Sequence, residues 1–301
     1  MKKDYIEEYV VINGIKQYFL HYPQKNSDKV ILYIHGGPGR SKAHFAYYAK
    51  EGRDFCNFVY YDQRGTGKTQ FMNSCPEITT NDLIDDLKKI IDYLKVKYRT
   101  EKIFLLGHSW GTVIGAKYVS KYPKTVSAYI GMGQVVDMSK SEEVRYNKLV
   151  EAALSKEGIT ESDKKLLEKF KDKSKESLAF HRLQTHFGFG DDYKKMSQIY
   201  LKSPIFRFFD FIPLINVAPS KNLFKALYDY NAYENTTYDL PVYFICGRND
   251  WAVPSLLTKE YYNAIKAPEK GLFWVENTGH YIDIDNPAEL NLTLKNILKK
   301  Y

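Results

Sequence analysis

The chain has 301 residues, 44% of them hydrophobic and 27% charged, with a net charge of +8 and a pI of about 9.0. That length accommodates one large core or a core with an inserted subdomain. No apolar run approaches the ~18 residues that would suggest a membrane span. The lysines are interspersed with acids, so the basic balance reads as a solvated surface and not as a nucleic-acid footprint.

Met1-Lys2-Lys3-Asp4 is followed by Glu7-Glu8 and not by an apolar stretch, so no secretory signal is expected. The three cysteines, Cys56, Cys75 and Cys246, have neither metal-ligand nor Cys-x-x-Cys spacing, which fits a reduced, cytoplasmic protein. The 26 tyrosines are an unusual number to which composition assigns no role.

Along the chain, Tyr9–Ile12 and Lys16–Leu20 flank Asn13-Gly14 and predict a hairpin. Lys29–Ile34 is a near-continuous apolar run, as expected of a strand buried on both faces of a parallel sheet. It ends in the loop His35-Gly36-Gly37-Pro38-Gly39. A second such strand, Asn57–Tyr61, ends at Asp62-Gln63-Arg64-Gly65. Leu83, Leu87, Ile90, Ile91 and Leu94 share one face of a helix over Asp82–Tyr98. Strand Lys102–Leu106 then leads into Gly107-His108-Ser109-Trp110-Gly111, a helix that Pro123 stops, and strand Ala128–Met132.

From Asp137 to Asp239 the text turns charged and helix-like, with aromatic clusters at Phe206, Phe208, Phe209 and Phe211 and an apolar stretch from Ile205 to Val217. The strand rhythm returns with Val242–Cys246, a helix over Leu256–Ile265, strand Leu272–Val275 and a terminal helix from Pro287. Strand–helix alternation predicts an α/β fold, a mostly parallel central sheet with helices on both faces. Its core is expected over residues 1–136 and 240–301, with 137–239 inserted as a helical cap that sets selectivity.

Gly107-His108-Ser109-Trp110-Gly111 matches G-x-S-x-G in the context that motif requires, after a buried strand and before a helix. There a tight turn exposes the serine hydroxyl at the carboxyl end of the sheet. Ser109 is the expected nucleophile. The amides of Gly37 and Trp110 are the expected oxyanion donors. An acid and a histidine must follow in that order. Asp250, in Gly247-Arg248-Asn249-Asp250, and His280, in Gly279-His280, both come directly after strands. Asp137 and Asp283 compete with Asp250 for the acid role. His21, His44, His181 and His186 do not end a buried strand, and His35 is read as structural.

Gly67-Lys68-Thr69 imitates a phosphate-binding loop, but that pattern needs glycine where Asp62 stands. The segment reads instead as a structural loop with Arg64 in an ion pair.

Taken together, the 35–39 loop, Asp62–Gly67, Gly107–Gly111, Gly247–Asp250 and Gly279-His280 resemble the proline iminopeptidase family of α/β hydrolases. The resemblance implies the α/β-hydrolase fold and a serine aminopeptidase acting on short peptides, with a cap whose glutamates bind the substrate's amino group. Glu142, Glu143 and Glu234 are candidates for that role, although a solvated surface position suits each better. The three tryptophans, Trp110, Trp251 and Trp274, all lie outside the inserted segment, a departure from the family's cap pattern.

The expected partner is a small-molecule or short-peptide substrate, without metal, organic cofactor, nucleic acid or membrane. The oligomeric state is left open. Two other functions stay open as well: a carboxylesterase or amidase with no amine requirement, and a non-catalytic binding protein on a hydrolase scaffold.

Overall fold

The computed structural model describes residues 3–73, 77–155, 160–162, 164–165, 192–210 and 221–301. Cys75, Phe211, His181 and His186 lie outside them, as do residues 211–217 of the apolar stretch.

Eight strands form one sheet: β1 (Ile6–Ile12), β2 (Ile15–Tyr22), β3 (Val30–Ile34), β4 (Asn57–Tyr61), β5 (Ile103–His108), β6 (Val126–Met132), β7 (Val242–Gly247) and β8 (Lys270–Val275). Their order is β1-β2-β4-β3-β5-β6-β7-β8. The first two pairings are antiparallel and the others parallel. The expected hairpin is β1–β2. Asn13 (φ 47) and Gly14 (φ 76) supply the two positive φ angles of a tight primed turn.

The apolar runs are continuous because the sheet is covered on both sides. Val30, Leu32 and Ile34 of β3 point into one core with Leu87 and Ile90 of helix Thr80–Tyr98 and Val113 and Ile114 of helix Trp110–Lys121. Ile31 and Tyr33 point the other way, against Leu290, Leu294 and Ile297 of helix Pro287–Leu298. The same alternation runs through β5 and β7. Helix Thr80–Tyr98 opens with a capping box, Thr79 and Asp82 each satisfying the other's amide, and ends at Arg99 in the left-handed region.

Many tyrosines are core residues with anchored hydroxyls. Tyr18, Tyr33, Tyr60, Tyr129 and Tyr261 are fully buried. The Tyr129 hydroxyl donates to Gln134 Oε1 at 2.8 Å, and that of Tyr261 to the Asn235 carbonyl at 2.5 Å. Each carries a large apolar ring into the core while its polar tip finds a partner.

Between β6 and β7 the described residues form helices Met138–Ser155, Tyr193–Leu201 and Lys221–Tyr228, with single 3-10 turns at Phe208–Asp210 and Ala232–Glu234. The strands on either side are direct neighbours, with Tyr129 opposite Val242.

The Asp62–Thr69 segment is more ordered than a loop. It ends in a short helix, Gly67–Phe71, whose first turn donates the Lys68 amide to Asp62 Oδ2 at 2.7 Å. A Cβ on Gly67 would stand 2.2 Å from that oxygen. The chain's own carboxylate therefore occupies the anion seat. Arg64 binds Asp86 through two parallel bonds of 2.9 and 2.7 Å, the ion pair expected of it.

Candidate active site

Ser109 sits between β5 and helix Trp110–Lys121 with φ 53 and ψ −122. A non-glycine residue held there costs about 1–3 kcal/mol and persists only when its surroundings over-determine it. Here they do. The Ser109 amide donates to the Met132 carbonyl at 3.1 Å. Its own carbonyl accepts the Thr112 amide and the Thr112 hydroxyl, each at 2.7 Å. The motif glycines are needed for close approach. A Cβ on Gly111 would lie 2.1 Å from the Ile34 carbonyl oxygen, and one on Gly107 would lie 2.7 Å from that of Gly111.

The 35–39 loop lies against the serine: a Cβ on Gly36 would be 3.1 Å from Ser109 Cβ. Gly37 has φ 139, where a Cβ would strike the Gly39 amide nitrogen at 2.8 Å. His35 anchors the loop. Its Nδ1–H donates to the Gly36 carbonyl at 2.8 Å, and its Nε2 accepts the Gln63 amide at 3.0 Å. Both bonds require a neutral ring. Burial lowers the His35 pKa to about 4, with Lys42 acting in the same direction, so the ring stays neutral at physiological pH. This is the structural part expected of His35.

His280 follows β8 and Asp250 follows β7. Nδ1 of His280 meets Oδ2 of Asp250 at 2.9 Å, and both residues are buried. The other carboxylate oxygen of Asp250 accepts the Val253 amide at 2.9 Å, which fixes the group's orientation. Gly133 at the end of β6 (φ 56) leaves room for the pair; a Cβ there would lie 3.2 Å from both Asp250 Oδ2 and His280 Cε1.

The competing acids are engaged elsewhere. Asp137 accepts the Lys140 amide at 3.0 Å, at the start of helix Met138–Ser155. Asp283 is buried 3.1 Å from the Lys42 ammonium and accepts the Tyr33 hydroxyl at 3.3 Å. Burial raises the carboxyl pKa of Asp283, but the charge and hydrogen bond of Lys42, with His108 and Arg53 nearby, together outweigh that and hold it below the usual range.

Ser109, His280 and the 35–39 loop line one cavity of about 760 Å³. All of them lie beyond the carboxyl ends of the parallel strands, where this class of sheet keeps its ligands. Facing them are Met138, Tyr200, Phe224 and Tyr228 from the segment between β6 and β7, and Trp251. Trp110 itself is fully buried in the core and does not line the cavity; the amide of this first helical residue has no intrahelical acceptor.

None of Glu142, Glu143 and Glu234 lines the cavity. Glu143 and Glu234 are exposed. Glu142 is half-buried and reaches the site indirectly, accepting the hydroxyl of the cavity residue Tyr228 at 2.7 Å. Of the Ile205–Val217 stretch, Ile205–Asp210 are described and none of them borders the cavity; Phe208 is 79% exposed. Sequence reasoning passed over Arg40, Lys42 and Arg145, which do border it. Arg40 directly follows the Gly-rich loop, the one signal that could have singled it out.

Comparisons with known proteins agree with this architecture. A family model described as "alpha/beta hydrolase fold" matches residues 29–287. The chain is 27% identical over 88% of its length to a Bacillus subtilis protein named "Probable aminopeptidase YbaC", covering 87% of that protein. It is 24% identical over 95% of its length to a proline iminopeptidase of Heyndrickxia coagulans, covering 96% of it. The crystal structure of a Mycobacterium smegmatis proline iminopeptidase superposes with a TM-score of 0.70 at 16% identity, over 98% of each chain.

Proposed function

The chain belongs to the alpha/beta hydrolase fold family, and from that premise we propose that it is a serine hydrolase cleaving an amide or ester bond through an acyl-enzyme. One observation carries the reading: a strained serine and an Asp-oriented histidine open onto the same cavity.

In this reading His280 takes the Ser109 hydroxyl proton as Oγ attacks the substrate carbonyl. The 2.9 Å contact with Asp250 keeps Nδ1 protonated, so that Nε2 is the nitrogen that acts as base. The developing oxyanion is received by the amides of Gly37 and Trp110. Removing one such donor typically costs ~3 kcal/mol of transition-state stabilisation. His280 then returns its proton to the leaving group, and water resolves the acyl-enzyme by the same route in reverse.

Residues 137–239 act as a cap over the site, and an aminopeptidase acting on short peptides is the first choice. Support comes from the aminopeptidase names of full-length relatives. A carboxylesterase without amine requirement is the second, favoured by the absence of all three candidate glutamates from the cavity wall.

The test is fluorophosphonate labelling of the wild type and of Ser109→Ala. The wild type should label and the variant should not; labelling that persists in the variant refutes the assignment, and a wild type that fails to label supports a binding protein. Prolyl and alanyl arylamides, with and without N-terminal blocking, are then compared with short aryl esters. Activity lost on blocking supports the aminopeptidase, and activity indifferent to blocking the esterase.

A further inference from the structure

Among the described residues, five side chains that are charged at neutral pH border the cavity: Arg40, Lys42, Arg145, Asp192 and Asp285. Three are committed to the fold. Lys42 is buried against Asp283 at 3.1 Å. Asp192 caps its own helix, accepting the Lys195 amide at 2.9 Å. Asp285 accepts the Gly279 amide at 2.8 Å. Both bordering carboxylates thus hold backbone amides, and neither lies within ion-pair distance of an arginine.

The two arginines differ. Arg145 is buried, with its guanidinium 3.9 Å from Glu142. Arg40 is exposed, and its side chain has no ion pair or hydrogen bond among the described residues. Its place in the chain is the telling feature. The Gly37 turn folds back so tightly that a Cβ on Gly37 would stand 3.1 Å from the Arg40 amide nitrogen, while the neighbouring Gly36 lies against Ser109. The guanidinium therefore springs from the loop that borders the reacting serine.

We propose that the substrate carries a carboxylate, received at the cavity by Arg40, with Arg145 adding positive potential from helix Met138–Ser155. A planar guanidinium matches a carboxylate through two parallel bonds, and a partly enclosed cavity screens that attraction less than open solvent does. The carboxylate belongs either to the leaving group, as the free C-terminus of a very short peptide, or to the acyl group. The inference rests on Ser109 being the nucleophile.

Two substrate pairs separate the sources. Ala-Gly and Ala-Gly-amide differ in a carboxylate on the leaving group. The p-nitrophenyl monoester of glutaric acid and p-nitrophenyl butyrate differ in one on the acyl group. In at least one pair the acid should be preferred by about tenfold in kcat/KM, mostly through KM. Arg40→Gln should abolish the preference, Arg40→Lys should retain part of it, and added salt should shrink it. The pair that shows it identifies which side of the scissile bond faces Arg40. No preference in either pair, or a preference that survives Arg40→Gln, overturns the proposal. Fluorophosphonate labelling of every variant reports separately on Ser109. A wild type that neither labels nor turns over any of the four compounds refutes the serine-hydrolase reading, and the carboxylate site falls with it.

Discussion

His108 donates its Nε2–H to the carbonyl oxygen of His280 at 2.9 Å, and the two rings lie 4.7 Å apart. The residue before Ser109 thus holds the backbone of His280. Burial first, then the neighbouring His280 and Lys42, push the His108 pKa down to about 3, so the ring donates in its neutral form. The contact ties the end of β5 to the loop after β8 across 172 residues of sequence.

Replacing His108 with alanine should therefore lower kcat by about 10²-fold, the effect of misplacing a reacting group by roughly 1 Å, with KM little changed. His108→Gln, which can still donate to the carbonyl, should recover part of the loss. Steady-state kinetics on any accepted substrate decide it; a His108→Ala enzyme with wild-type kcat refutes the positioning role.

The three acids near the site give separable outcomes. Asp250→Asn should lower kcat on the order of 10⁴-fold while the chain stays folded, because the amide favours the wrong tautomer of His280. Asp137→Asn should leave turnover within a few-fold. Asp283→Asn should act on stability through the buried Lys42, measured as a drop in Tm. Loss of turnover in Asp137→Asn of the size expected for Asp250→Asn would reassign the acid.

Gly111→Ala is expected to be far more damaging than one methyl group suggests. The new Cβ would fall 2.1 Å from the Ile34 carbonyl oxygen, a backbone atom inside the sheet. Either β3 or the helix must move. The expected result is a Tm lowered by many degrees together with lost activity, read by thermal melting and fluorophosphonate labelling; a variant matching the wild type in both refutes the close-approach account.

Acid should destabilise the protein in a defined window. His35 and His108 have folded pKa values of about 4 and 3 against an ordinary 6.5. As pH falls below about 6.5 the unfolded chain takes up these protons before the folded one does, so stability declines from there toward pH 3. Glu8 adds to this. Burial raises its pKa, but hydrogen bonds from His21, Tyr93 and Lys97 outweigh burial and hold it near 2, so its contribution is present above about 4.5 and fades toward pH 2. Tm should be level above neutrality and fall steadily below pH ~6.5. His35→Gln should flatten the upper part of that fall; an unchanged slope would mean another group controls it.

A buried contact joins the inserted segment to the core. His44 Nε2 meets Asp210 Oδ2 at 2.9 Å, the His44 ring stacks on Tyr200 at 4.4 Å, and Lys68 donates to the Ile205 carbonyl at 2.7 Å. Asp210→Asn should cost about 1–3 kcal/mol, because Lys68 loses the charge of Asp210 while keeping that of Glu7, and the buried His44 ring loses a carboxylate acceptor. Urea unfolding followed by circular dichroism measures this; a loss under about 1 kcal/mol would mean the contact contributes as weakly as an exposed pair.

The inner strands β3 to β7 were legible because they are buried on both faces and thus written as near-continuous apolar runs. Asn13-Gly14, Pro123 and Pro287 marked their boundaries through backbone geometry alone. Ser109, Asp250 and His280 drew notice because each follows a strand, and the fold brings all three to the same end of the sheet, with Asp250 against His280. The charged side chains around the cavity could not. Arg145 is one basic residue on a charged helix, and only folding reveals that it is buried. His44 and Asp210 are 166 residues apart, and neither local periodicity nor motif carries information over that distance. The short helix Gly67–Phe71 went unseen because its cap position, Thr66, makes no side-chain cap bond, and the carboxylate that takes the Lys68 amide, Asp62, comes five residues before Gly67 and also receives the Ser41 hydroxyl.

The chain leaves the sheet at Met132 and re-enters at Val242, and these two strands touch: Met132 lies opposite Ile245. The excursion begins and ends at a single seam. Closing such a detour grows costlier only with the logarithm of its length, about 0.6 kcal/mol for each doubling. Evolution can therefore lengthen, shorten or rewrite the excursion that faces Ser109 without breaking one interstrand hydrogen bond, so the walls of the cavity can change over an unaltered sheet.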